Sequence, residues 1–223
     1  MQQRYVYIVL SRTHSKFARF LRFFGRMDFN HASIAFDEDL KELYGFARKR
    51  NGLPLDAGVV HETLERFTLN KYDSVKIAVF RIPVTEAQYI SIKEQVLSLE
   101  GDETYLYNFF SVLTFPFLGG FKTYKAYTCS EFVSRILIPL GLNMRKEACK
   151  YTPNELQYVL NDYRCWDGSI TDKLEKNPLS TGGFFDPVST TRCILTTLSI
   201  LSVLLMRDVL SRMPIGRLKR RYN

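Results

Sequence analysis

Tyr127-Thr128-Cys129-Ser130-Glu131-Phe132-Val133 places a cysteine where an extended run turns into a helix. Upstream, Phe121 to Tyr127 is aromatic-rich and lacks helical spacing. Downstream, Phe132, Val133, Ile136, Leu137 and Leu140 recur at three- and four-residue steps, the mark of a helix with one buried face. Thr128 is the expected N-cap, and Glu131 three residues on gives the pattern of a capping box. Cys129 then falls in the first turn, where unpaired N–H groups and the positive end of the helix dipole favour thiolate over thiol. The same N–H groups can hold an oxyanion. A free cysteine is more often a small buried hydrophobe; only a partner histidine raises Cys129 above that default.

Around this block lies enough chain for one ordinary core with a small appendage: 223 residues, 46% of them hydrophobic. Cys129, Cys149, Cys165 and Cys193 are far apart with no C-x-x-C pair, and the opening Met-Gln-Gln-Arg-Tyr-Val-Tyr has no signal-peptide pattern. Reduced thiols in a cytoplasmic setting are the expectation. With only His14, His31 and His61 available, no ligand spacing suggests zinc, and neither a metal nor a cofactor is expected. The net charge of +8 is uneven: Arg207, Arg212, Arg217, Lys219, Arg220 and Arg221 against Asp208 leave the C-terminal end with +5 of it.

Taken in order, Arg4 to Leu10 reads as a buried first strand. Ser15 to about Arg26 reads as a helix with Arg12, Lys16, Arg19, Arg22 and Arg26 on one side and Phe17, Phe20, Leu21 and Phe24 on the other. That is a solvated basic face over a core face, with a membrane-surface role as the alternative. Asn30 to Phe46, two apolar segments around Asp37-Glu38-Asp39, reads as a β-hairpin, and alternation puts His31 on one face with Ser33 and Ala35. Such a histidine is by default a hydrogen-bonded structural residue.

Ala47 to Asn70 shows little periodicity and reads as a long connection, its His61-Glu62 pair a weak signal. Ser74 to Val84 is a strand, and Thr85-Glu86 opens a helix to about Gly101 with Tyr89, Ile92, Val96 and Leu99 inward. Tyr105 to Phe117 is expected to be a short helix. The Cys129 helix should end near Pro139 and Gly141, Thr152-Pro153-Asn154-Glu155 should open another, and Tyr163 to Thr171 reads as an edge strand.

The C-terminal end is separate in character. Ile194 to Met206 is a thirteen-residue run without charge, about 20 Å as a helix against the ~30 Å of a bilayer core. Leu195, Leu198, Leu201 and Leu205 lie beside a thin polar stripe of Thr196, Ser199 and Ser202. The segment is expected to lie in an interface, dock on the body or pair with a second copy, and the basic end makes an anionic membrane surface a partner to test.

An early strand opened by a histidine, Asn30-His31-Ala32-Ser33-Ile34-Ala35-Phe36-Asp37, followed much later by a helix opened by a cysteine, resembles the circularly permuted, NlpC-like branch of the papain superfamily, which includes lecithin retinol acyltransferase. Tyr105-Leu106-Tyr107-Asn108 adds to the likeness, which covers about Arg4 to Asn161. It implies an α+β, papain-like permuted fold, a small antiparallel sheet packed with helices over residues 1–186; the expected C-terminal helical tail over 187–223 lies outside the likeness. It also implies Cys129 as nucleophile and His31 as base, acting on an amide or ester of a small acyl, peptide or lipid substrate through a thioacyl-enzyme. The family orients its histidine with a polar side chain on the neighbouring strand. Here the residue opposite His31 is expected to be Gly45 or Phe46, which leaves Glu42 and Tyr44 as candidate orienters and a Cys129–His31 dyad as the safer expectation. The rival from another class is a lipid- or peptide-binding protein that keeps the cleft and does no chemistry. Nucleic-acid binding has only the charge in its favour and is not expected.

Overall fold

The computed structural model describes residues 3–14, 28–175 and 182–212. The expected basic helix from Ser15 to Arg26 and the Lys219-Arg220-Arg221 end lie outside the described residues. The architecture is α+β. A six-stranded antiparallel sheet has the order β4-β3-β2-β1-β5-β8, with β1 Arg4–Ser11, β2 His31–Ala35, β3 Leu43–Arg48, β4 Ala57–His61, β5 Lys76–Val84 and β8 Arg164–Ser169. A two-stranded parallel pair, β6 Leu106–Tyr107 and β7 Ala126–Tyr127, stands apart.

β1 is central, and this explains its unbroken apolar sequence. Val6, Ile8 and Leu10 enter the core on one face while Tyr7 and Val9 enter that on the other, as the two-residue alternation of a strand requires. The first face is covered by α2 (Glu86–Glu100), α5 (Cys129–Leu137) and α6 (Pro153–Val159), through Tyr89, Ile92, Val96, Phe132, Val133, Ile136 and Leu156. The second face is covered by α1 (Leu64–Thr68), with Leu64 and Phe67, together with Ile170. β5 pairs with β1 along its whole length, Arg4 against Val84 to Ser11 against Ile77, and β8 closes that edge.

Several helix ends follow from their caps. Thr85 and Gln88 form a capping box at α2, and Thr152 and Glu155 form another at α6 with Pro153 in the first turn. At α5 only half the expected box exists. The Thr128 hydroxyl accepts from the Glu131 N–H at 3.0 Å, and the Glu131 carboxylate accepts from Arg135 at 2.8 Å.

Three stretches differ from the sequence expectation. Residues 47–70 hold β4 and α1, because Ala-Gly-Val-Val-His is too short and glycine-containing to show a period, yet pairs along β3 from Tyr44–His61 to Arg48–Ala57. Tyr105 to Phe117 begins with β6 before α3 (Phe109–Leu113) and α4 (Phe115–Leu118). Here Leu106 and Tyr107 find strand partners in Ala126 and Tyr127, which are far away in sequence.

The third difference is the C-terminal helix, α7, Thr190–Arg212. Its 23 residues span about 34 Å, because the helix runs past the uncharged segment at both ends; by length and composition it can cross a membrane. Ile200 and Leu204 face inward against Leu55 and Ala126. Arg207 donates to the carbonyls of Thr104 and Lys125 at 3.1 and 3.0 Å. Of the four leucines beside the polar stripe, Leu195, Leu198 and Leu205 are exposed and Leu201 is partly buried.

Candidate active site

Cys129 is the first residue of α5, 7% exposed. The strand Ala126–Tyr127 leads into Thr128 in extended conformation, and the turn of the chain at Thr128 sets the thiol at the helix entry. The N–H of Glu131 goes to the Thr128 hydroxyl and that of Phe132 to the Thr128 carbonyl. The helix therefore leaves the N–H groups of Cys129 and Ser130 without an acceptor of its own. α5 packs on β2 and β3, which brings its entry to the start of β2. There the thiol lies 4.0 Å from the Asn30 carbonyl, in the same cleft as the imidazole of the next residue, His31, whose pKa the neighbouring thiol helps to raise.

His31 is fixed from its other side by a carboxylate, that of Glu62. Nε2 of His31 and Oε1 of Glu62 are 2.8 Å apart, and the Ser33 hydroxyl donates to Oε2. Both groups are nearly sealed, with side chains 12% and 5% exposed. Burial alone would lower the pKa of His31, but the Glu62 charge and the hydrogen bonds to Cys129 and Glu62 outweigh it and raise it from 6.5 to about 10. The reverse holds for Glu62, where burial raises and the charge and hydrogen bond of His31, with Ser33, lower it, for a net shift downward. With Nε2 held by Glu62, Nδ1 is the nitrogen left for the thiol.

Glycine at position 45 makes room for this carboxylate. Gly45 faces Ser33 across the β2–β3 ladder, and a Cβ there would sit 2.7 Å from Glu62 Cδ and 3.0 Å from Ser33 Oγ. The expected orienters are elsewhere. Glu42 pairs with Lys93 at 2.6 Å, and Tyr44 pairs with Ile34 in the ladder while its ring stands edge-on to Phe36 and His61. Each lies on β3 or its turn, whereas the carboxylate comes from the residue just past β4, the strand missing from the sequence reading. His61 bonds the Lys41 carbonyl at 2.7 Å and His14 that of Ser74 at 3.1 Å, so His31 is the histidine at the thiol.

The thiol, imidazole and Glu62 line one cleft of about 530 Å³, together with Tyr107, Phe46, Arg48 and Arg66. The Tyr107 phenol is raised by burial and by the negative charge Cys129 can carry, so it stays a proton donor beside the sulfur. Burial also pushes Cys149 and Cys165 up. Among the described residues no group of three His, Cys, Asp or Glu side chains is placed to hold a metal ion. No family model, curated protein or solved structure matches this chain.

Proposed function

We propose that this protein is a cysteine-dependent hydrolase or acyltransferase acting on an amide or ester through a thioacyl-enzyme, with a circularly permuted papain-like arrangement. The carrying observation is the line Cys129–His31–Glu62 at the wall of one cleft. Glu62 keeps His31 cationic, and that cation and the α5 entry both stabilise negative charge on Sγ. The sulfur attacks the substrate carbonyl carbon, and the C–S bond forms as the carbonyl π electrons move to oxygen. The N–H groups of Cys129 and Ser130 are the donors for that oxyanion. As the tetrahedral centre collapses, the C–N or C–O bond breaks and the leaving group takes the proton from His31. Neutral His31 then removes a proton from water or another acceptor, which attacks the thioester and returns the sulfur as thiolate.

The test is covalent trapping. Full-length protein is treated with iodoacetamide or an acyl-phosphonate near neutral pH and the labelled site is read by mass spectrometry. Cys129 should react at least 10-fold faster than Cys149, Cys165 and Cys193, and His31→Ala should slow it by a similar factor. Equal rates at all four thiols would favour the non-catalytic binding protein instead.

We further propose that α7 rests on a membrane surface. Leu195, Leu198, Leu205, Met206 and Leu210 face away from the body, and the basic residues that follow in sequence add about 1 kcal/mol each near anionic headgroups. Because Ile200 and Leu204 cover Leu55 and Ala126, deletion of the tail would uncover core, and the cleaner probe is the outer face. Leu195→Glu with Leu198→Glu should leave thermal unfolding in place and abolish co-flotation with phosphatidylserine vesicles; unchanged flotation would refute it.

A further inference from the structure

In the same cleft as the thiol stand two arginines that, among the described residues, form no ion pair with a carboxylate. Arg48 ends β3 and Arg66 lies in α1, and both line the same cleft as Glu62. Among the described residues no ion pair joins either guanidinium to an Asp or Glu. The segments outside the description contain no acidic residue. Glu62, the one carboxylate lining the cleft, is bonded to His31 and Ser33. Against it stand Arg48, Arg66, Lys71 and the cationic His31.

Isolated like charges in a poorly solvated site repel and lose hydration. Both penalties act here: burial lowers Arg48, and burial together with the Arg48 charge lowers Arg66 to about 10, against the pull of Glu62. The chain nevertheless holds the two groups in place. Arg66 stacks its guanidinium 4.2 Å over the ring of Phe184 and donates to the Arg48 carbonyl. Arg48 Nη1 donates to the Asn51 carbonyl at 3.1 Å, and the Asn51 N–H is tied to the Phe184 carbonyl at 2.8 Å. Each guanidinium carries five N–H donors, and among the described residues one of each is engaged. Two oriented forks with donors to spare match the geometry of a carboxylate or phosphate.

We infer that Arg48 and Arg66 form an oxyanion-reading subsite, so that the acyl substrate of the Cys129 centre carries a carboxylate or phosphate group bound in the same cleft. The identification of the bound anion as part of a substrate rests on the thiol chemistry proposed above; the anion site itself does not. An anion there would neutralise the two charges, fix the substrate's orientation and keep the reacting carbonyl at the sulfur.

Two measurements separate these claims. Isothermal titration of inorganic phosphate and of succinate into full-length Cys129→Ser protein should show one saturable site, weakened at least 10-fold by Arg48→Gln and by Arg66→Gln. Lys146→Gln, on the remote ion pair with Glu155, should leave it unchanged. Tighter succinate identifies a carboxylate and tighter phosphate a phosphoryl group. Should Arg66→Gln fail to fold, Arg66→Lys keeps the charge but loses the fork, and should weaken binding about 3-fold or more. The second measurement is the alkylation of Cys129 by anionic iodoacetate relative to neutral iodoacetamide. That ratio should exceed the ratio at Cys193 at least 10-fold and collapse in Arg66→Gln. Absence of saturable binding by either anion, or binding untouched by both arginine substitutions, overturns the subsite. If iodoacetamide fails to single out Cys129 while the arginine-dependent anion binding persists, the thiol chemistry falls and the anion site stands.

Discussion

The two halves of the site are built differently. The cysteine half is local: Thr128 caps α5 and Cys129 opens it, with Phe132, Val133 and Ile136 supplying the buried face within a few residues. The histidine half is assembled from distant residues. His31 and Ser33 come from β2, the empty space from Gly45 on β3, and the carboxylate from Glu62 just past β4. A local half tolerates damage because its helix also buries an apolar face, whereas a half in which three residues meet one carboxylate loses its geometry when the carboxylate is moved or neutralised.

Glu62→Gln should give the largest effect. Neutralising the carboxylate that orients a catalytic histidine costs on the order of 10⁴-fold in such arrangements, and turnover of an activated ester should fall by that order. The pH profile sharpens the test. His31 is raised to about 10, so its protonated form persists through neutral pH and is lost only as pH climbs through that value. Without the Glu62 charge the alkaline loss of turnover, which needs the proton His31 gives the leaving group, should move down toward the ordinary 6.5. The same pair also supports folding. The share from His31 is complete below about 6.5 and disappears as pH rises through about 10, while the share from the lowered Glu62 is lost as pH falls below its ordinary 4.5. An alkaline limb that stays in place in Glu62→Gln would break the assigned pairing.

Gly45→Ala comes next. A single methyl would press on Glu62 and Ser33, and overpacking of this kind costs about 1–3 kcal/mol. Thermal unfolding should fall accordingly, with activity dropping at least 10-fold because Glu62 must leave His31. Ser33→Gly combined with Gly45→Ala would remove one of the two crowded neighbours and should recover part of the stability. Glu42→Gln and Tyr44→Phe, by contrast, should change turnover less than 2-fold, since neither side chain bonds His31.

What was legible in the sequence follows the same division. Strong local signals located β1, β5, α2, α5, α6 and the hairpin of β2 and β3, because period, cap and turn residues are contained within each. The pairing of Cys129 with His31 was expected from their order and resemblance alone. Glu62 was passed over because its evidence is tertiary: β4 is five residues long with a glycine in it, and the carboxylate gains meaning only when Gly45 and Ser33 face each other across a ladder. Gly45 itself was read as an inability to hold the imidazole, when its missing side chain is what admits the group that does. The inner face of α7 was left open for a related reason. A helix with apolar residues most of the way round does not disclose which of them the body will cover, and here Ile200 and Leu204, not Leu195 and Leu198, meet Leu55 and Ala126.

The smallest effect is expected at the most legible residue. Thr128→Ala removes the acceptor for the Glu131 N–H, and loss of such a cap costs about 1 kcal/mol, or about 2–4 °C in a chain of this size. The Phe132 N–H keeps the Thr128 backbone carbonyl, so the first turn loosens without unwinding. Phe132, Val133 and Ile136 remain buried beneath it. Iodoacetamide labelling of Cys129 should therefore slow by 10-fold or less, and Thr128→Ser, which restores a hydroxyl at the cap, should return both unfolding temperature and labelling rate. The ranking is what matters. If Thr128→Ala cost as much activity as Glu62→Gln, the position of the thiol would depend on that single hydrogen bond rather than on the buried face of α5, and the contrast between a robust local half and a fragile assembled half would be lost.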